Sequence, residues 1–303
     1  MAKGAVSEQR VLITTFLVDL LDVVINLVVA IMTGSVVLLA EFFQGLADLT
    51  AAGLLLIGHK RSKKRADKRH PFGYGKEVYF WTLISAVVMM TFTATASFYF
   101  GLMRFLDPEE IDRLWLGYLT LGITLATNLY AFTLSSSRLK KSKSFMQLPK
   151  LFHGSDDVTV KNALVLDLMG TTAAVSGLIS LLLYQFAGEK RFDGIGAMFI
   201  GISTCVLAVV LVTSLRGLLV GERAAPEVEE KITKAALDIH EVKDVLDLRT
   251  MQIGLDKLLV NIEVHIEDGL STDEIEKLTD KIKERLLEKV PSVKYVQVEL
   301  ETP

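Results

Sequence analysis

The sequence predicts an α-helical membrane domain of six transmembrane helices followed by a small cytoplasmic α+β domain. Three observations carry that reading. Of 303 residues, 50% are hydrophobic, and the mean hydropathy of +0.40 is too high for one soluble domain of this length. The apolar residues lie mostly before Gly221, in runs of about 20 or more, the length a helix needs to cross a bilayer. After Gly221 the chain turns charged and periodic, so residues 1–222 read as the membrane domain and 223–303 as the soluble one.

Six segments qualify as spans: Val11–Met32, Ser35–Ile57, Val78–Leu106, Leu114–Leu134, Val158–Phe186 and Ile195–Leu219. Thr33-Gly34-Ser35 is short enough to make the first two a hairpin. Tyr79, Phe80, Trp81 and Trp115 sit near span ends, as an interfacial aromatic belt does. The second loop carries His59-Lys60-Arg61-Ser62-Lys63-Lys64-Arg65 and Lys68-Arg69-His70, and the fourth carries Arg138 with Lys140, Lys141 and Lys143. The loop at Asp107-Pro108-Glu109-Glu110 is acidic. Positive-inside bias places both basic loops, and with six spans both termini, in the cytoplasm. Beside such spans the basic run reads as membrane topology, and no nucleic-acid partner is expected. The formal net charge of −3 averages these loops against an acid-rich tail. A single cysteine, Cys205, excludes a disulfide framework. Short loops and a polar start without a cleavage pattern point to a multi-pass protein of a prokaryotic inner membrane.

In the tail, Pro226–Glu241 has helical spacing, with Val228, Ile232, Ala235, Ala236 and Ile239 on one face. Val245–Ile253 reads as a strand of imperfect alternation, and Leu258–Ile266 alternates cleanly. Ser271 with Glu274 three residues on forms a capping box opening a helix to about Val290, and Val293–Glu299 is a third strand. The order αββαβ suits a small open sheet covered by two helices on one face.

Two acids stand inside apolar spans: Asp48 in the second and Asp167 in the fifth, neither with Lys or Arg within one helical turn. A carboxylate at membrane depth costs roughly 2.5–3.5 kcal/mol even on the lower scales, so it usually faces a bundle interior or aqueous path. Gln44 lies four residues before Asp48 and Thr171 four after Asp167, so each pair shares a helix face. Two such pairs facing each other would offer up to four oxygen ligands and neutralise one divalent cation. Alternatively the polar residues bond one another and lock helix packing. Asp19, Asp22 and Asn26 lie toward one side of the first span, either lining the same aqueous path or, for Asp19, simply wet near the cytoplasmic end. Between spans two and three, Asp67 stands three residues before His70 in Asp67-Lys68-Arg69-His70-Pro71-Phe72-Gly73-Tyr74-Gly75-Lys76. That shaped loop either holds a cation at Asp67 and His70 or is a solvated basic turn.

Six spans, the His70–Lys76 motif, polar pairs four apart in spans two and five, and the αββαβ tail together resemble the cation diffusion facilitator family, from about Val11 to Val298. The resemblance implies a homodimeric exporter of a divalent metal (Mn, Fe, Zn, Co or Mg), driven by proton exchange, with a ferredoxin-like dimerising cytoplasmic domain. Carried over by position, the transport site is Gln44, Asp48, Asp167 and Thr171. Family members usually have His or Asp at the first position of span two, and His followed by Asp in span five. Here only Asp48 keeps its expected type, and Glu41, one turn before Gln44, either compensates or faces outward. An all-oxygen site suits Mn²⁺- or Mg²⁺-like ions better than zinc, with Fe²⁺ also accommodated. Without imidazole, protons must exchange at Asp48 or Asp167. In the tail, either Glu263 and His265 hold a metal or His265 is a solvated or packed histidine, the family's several histidines being missing. The second reading is a non-transporting scaffold or heteromer partner with a degenerate site. No nucleophile–base arrangement, phosphate-binding glycine loop or zinc-hydrolase pattern is present, so an enzyme is not expected.

Overall fold

The computed structural model describes residues 8–139 and 158–302, with side chains over 20–133 and 164–302. The basic residues Lys140, Lys141 and Lys143, and the Asp19 side chain, lie outside the described residues. The chain divides into two compact units, one from the described parts of 1–56, 81–148 and 159–213, the other from those of 57–80 and 214–303.

The first unit is helical. The helices that contribute to it are α1 (Glu8–Thr33), α2 (Val36–Ser62), α3 (Glu77–Val88), a π-helical turn at Met89–Ala94, α4 (Thr95–Leu106), α5 (Leu114–Leu139), α6 (Val158–Ala187) and α7 (Arg191–Val220), with residues 57–62, 77–80 and 214–220 counted in the second unit. Among the described residues four spans are long and apolar enough to cross a membrane: α2, the continuous Glu77–Leu106, α6 from Leu164, and α7. The helices α1 and α5 are 26 residues each, and the described apolar part of α1 is Leu20–Thr33.

Gly34 takes φ +70°, a left-handed conformation that lets the chain reverse between α1 and α2. The first amides of α2 lack intrahelical acceptors. They are capped by Asp193 of α7, which accepts from Ser35 Oγ at 2.6 Å, Val36 N at 2.8 Å and Val37 N at 3.1 Å. The N-terminus of α7 therefore lies at the N-terminus of α2, so these helices run the same way. Ser180 Oγ of α6 donates to Phe192 O in the first turn of α7, which makes α6 and α7 an antiparallel pair. It follows that α2 and α6 run in opposite directions. They touch where a Cβ on Gly177 would lie 2.9 Å from Val37 Cγ1. Val36, Val37, Leu38, Ala40, Leu121, Ala173, Leu181, Ala197 and Ile200 form the core around that contact.

In the second unit, α8 (Pro226–Leu237), β1 (Val242–Gly254), β2 (Lys257–Ile266), α9 (Thr272–Lys289) and β3 (Val293–Leu300) follow in order. The sheet order is β1-β2-β3, with β1 antiparallel and β3 parallel to β2. A parallel return needs a crossover, and α9 supplies it. Ile232 and Ala236 of α8 and Leu278, Ile282 and Leu286 of α9 share one core with Val260, Ile262 and Val264, so one face of the sheet is covered. Register breaks at Val242/Asp244, Val245/Asp247 and Gln252/Gly254 account for the imperfect alternation of β1. The residue 57–80 segment belongs to this unit. Phe72 packs edge-on to Tyr295 of β3 at 5.3 Å between ring centres. Gly75 lies against the Ile253 carbonyl and Gly254, where any Cβ would collide with backbone.

Candidate metal centre

Along α2, Gln44 is buried and its amide is held at both ends. Its Nε2 donates to Asp48 Oδ1 at 3.2 Å, and its Oε1 accepts from Thr204 Oγ1 of α7 at 3.1 Å. Asp48 is half-buried beside it. On α6, Thr171 donates its hydroxyl to the Asp167 carbonyl one turn back at 2.7 Å, and both residues are half-buried. The hydroxyl proton is thus spent on the helix, leaving the oxygen's lone pairs as acceptors.

The opposite directions of α2 and α6 decide which residues share a level. From the Val37–Gly177 contact, Asp48 lies eleven residues along α2 and Asp167 ten residues back along α6, about 16 and 15 Å at the helical rise. On the same count Gln44 and Thr171 lie about 10 and 9 Å away. The two polar pairs therefore occupy matching heights in the bundle. Among the described residues no three His, Cys, Asp or Glu side chains gather in metal-binding geometry. A centre at this height would need amide and hydroxyl oxygens beside its carboxylates.

The accessory positions lie on α1 and α2. Asp22 of α1 accepts from Asn26 Nδ2 at 3.0 Å and from Thr124 Oγ1 of α5 at 3.4 Å. Glu41 is 2% exposed and within electrostatic range of Asp22 and Asp48, so of its two expected orientations it takes the inward one.

The expected loop site uses its residues differently. Asp67 Oδ1 accepts the amides of Arg69 at 3.0 Å and His70 at 2.8 Å, and Oδ2 accepts the Tyr74 hydroxyl at 2.7 Å. That hydroxyl first, then the His70 amide, holds the carboxyl below its usual range. His70 Nδ1 is 3.6 Å from Asp67 Oδ1, and its ring packs on Tyr74 at 4.2 Å. Tyr74 of the same motif supplies the hydroxyl that fixes Asp67. The motif is built as a turn. In the tail, Glu263 pairs with Arg249 at 3.5 Å, while His265 Nδ1 lies 3.4 Å from the Glu301 carbonyl. Glu263 sits opposite Asp247 and Glu299, and His265 opposite Asp244, so the two are held by different neighbours. Burial first, and the neighbouring acids after it, push the Glu263 carboxyl up.

Sequence reasoning missed Thr204, whose hydroxyl sets the Gln44 amide, and Asp193, which lies just outside the apolar run that marked the last span. Asp193 is 0% exposed and also has Arg104 Nε at 3.9 Å, while Arg104 Nη2 donates to Gly34 O at 2.6 Å. An Asp before a span carries no local sign that it caps another helix.

Comparison with known proteins bears on the whole chain. The family model described as the cation efflux transmembrane domain matches residues 12–220, and that of the cation efflux protein cytoplasmic domain matches 224–303. The human mitochondrial proton-coupled zinc antiporter SLC30A9 is 26% identical over 278 residues, covering 90% of this chain and 48% of that protein. The chain thus spans about half the length of the SLC30A9 relatives it matches. Magnetosome protein MamM of Magnetospirillum gryphiswaldense is 21% identical over 280 residues, 90% of this chain and 81% of that one. Among solved structures, a nickel form of the MamM CTD aligns with 17% identity and a TM-score of 0.24, covering 25% of this chain and 96% of that one. With matched models running through both the helical part and the tail, the chain belongs to the cation diffusion facilitator family.

Proposed function

We propose that this protein exports a divalent metal cation in exchange for protons, by alternating access across six spans with both termini cytoplasmic. Gln44, Asp48, Asp167 and Thr171 would bind the cation, and Asp48 and Asp167 would take up protons when it leaves. The observation that carries this reading is the matched height of the two pairs on oppositely directed helices. The donor set is all oxygen, which favours Mn²⁺- or Fe²⁺-like ions over zinc. Relatives named as zinc antiporters make zinc the ion to beat in a direct comparison. The αββαβ tail would join two copies as a homodimer. Short loops support a prokaryotic inner membrane, and fractionation of the source cells tests it.

The test is proton movement in proteoliposomes on addition of Mn²⁺, Fe²⁺, Zn²⁺, Co²⁺ or Mg²⁺. Flux for Mn²⁺ or Fe²⁺ exceeding that for Zn²⁺, and lost in Asp48→Ala and Asp167→Ala with the dimer intact, is the expected outcome. No flux for any ion would reject it.

One observation favours a second reading, a non-transporting partner in a heteromer. Both ends of the Gln44 amide are engaged by protein groups, as in a packing lock. Absence of metal binding, with restored transport when a relative is co-expressed, would establish that reading.

A further inference from the structure

We propose that Asn26 of α1 and Glu41 of α2, with Asp22 one turn back along α1 as the second carboxylate, form a second divalent-cation site centred nearer the α1–α2 turn than Gln44 and Asp48. It relies on the proposed function only for the identity of the cargo.

Two buried oxygens carry the inference. Asn26 is 0% exposed and its Oδ1 has no hydrogen-bond partner, and Glu41 is 2% exposed with Oε1 likewise unpartnered. A buried acceptor left without a donor costs about 1–3 kcal/mol, more when charged. Such atoms in a native interior call for an ion, a proton or water.

The backbone brings them to one height. A Cβ on Gly45 would fall 2.8 Å from Val23 Cγ2, so α1 and α2 approach closely there. Counting from that contact toward Gly34, Asn26 lies three residues along α1 and Glu41 four residues back along α2, about 4.5 and 6 Å at the helical rise. Asp22 lies one residue on the other side of that contact, about 1.5 Å, and joins the set through Asn26. Its Oδ2 accepts a hydrogen bond from Asn26 Nδ2, which leaves the Asn26 Oδ1 as the open end of that amide, and Thr124 donates to its other oxygen.

Charge selects the ligand. Asp22 lies within electrostatic range of Glu41, and among the described residues no Lys or Arg figures among the groups acting on either. Two carboxylates balance one divalent ion, and amide and carboxylate oxygens suit a hard one. Glu41 stands three residues beyond Gln44 and seven beyond Asp48, about 4.5 and 10 Å. An ion leaving the first level toward the α1–α2 turn would find its next oxygens there, as a relay on the exit path.

Mn²⁺ binding to the full chain in lipid nanodiscs, by equilibrium dialysis and calorimetry, tests this. Glu41→Gln and Asn26→Leu are each expected to remove one Mn²⁺ equivalent, and Asp48→Asn to remove a different one, so that combining Glu41→Gln with Asp48→Asn removes both. Asn26→Asp, adding a charged ligand, is expected to tighten the second site about tenfold, a gain that misfolding cannot produce. Isotherms for Glu41→Gln and Asn26→Asp that superimpose on the parent would overturn the proposal. So would loss of both equivalents on either single substitution, since that describes one site. If Asp48→Asn changes nothing while Glu41→Gln loses its equivalent, the second site stands and the transport-site reading fails.

Discussion

Asp193 and Glu41 are both buried acids of the helical unit, and they are treated in opposite ways. Asp193 receives a hydroxyl and two backbone amides and has Arg104 nearby, while Glu41 keeps an oxygen with no partner. A carboxylate that serves structure is saturated, because leaving a buried acceptor unmade is expensive. One left open in the same unit marks where cargo could supply the missing interaction. The Gln44–Asp48 pair lies between these extremes, tied to α7 through Thr204 yet only half-buried at the acid.

The largest expected effect comes from the saturated acid. Asp193→Ala leaves the Ser35 hydroxyl and the first α2 amides without their buried acceptor, a loss of about 1–3 kcal/mol for each group left unmade, while Arg104 keeps Glu109 at 3.1 Å and the Gly34 carbonyl. Thermal unfolding in detergent should show a strongly lowered midpoint, and an unchanged midpoint would erase the contrast. Next, Asp48→Asn and Asp167→Asn should abolish metal-driven proton flux while leaving the unfolding midpoint at or above that of the parent. An acid held for binding is a liability to the fold, so flux and stability should separate. If both fall together, these acids belong with Asp193.

Smaller effects are expected at exposed carboxylates, where water replaces lost partners. Tyr74→Phe removes the hydroxyl that contributes most to holding Asp67 down. Faster amide exchange at Arg69 and His70, with the transport-helix amides unaffected, is the expected result. The smallest change is a pH effect at the start of α9. Glu274 accepts the Ser271 amide at 2.8 Å and hydroxyl at 2.7 Å, and the amide, then the hydroxyl, holds its carboxyl below the usual range. Because the folded value lies below the unfolded one, this cap contributes fully above the ordinary carboxylate value of about 4.3 and is lost as pH falls through the folded value. Exchange of the first α9 amides should therefore accelerate below that range, and Ser271→Ala should shift the onset upward.

Much of the architecture was legible because it follows from period and length. The tail strands and helices fall within a few residues of their sequence boundaries, and Ser271 with Glu274 marked the start of α9. The Gln44–Asp48 pairing was legible from four-residue spacing alone. What was hidden depended on partners distant in sequence. Nothing local says that Thr204 fixes the Gln44 amide, that Glu41 faces inward, or that Asp193 caps a helix 157 residues away. The partners of the loop acid were hidden for a related reason. Asp67 and His70 have ligand chemistry, but backbone amides and Tyr74 reach Asp67 first.

The most direct measurement is anomalous X-ray scattering from crystals of the full chain grown with Mn²⁺. The account predicts a peak bridging the carboxylates of Asp48 and Asp167, lost in Asp48→Asn. A bound ion that touches neither acid, or binding that survives that substitution, would contradict it.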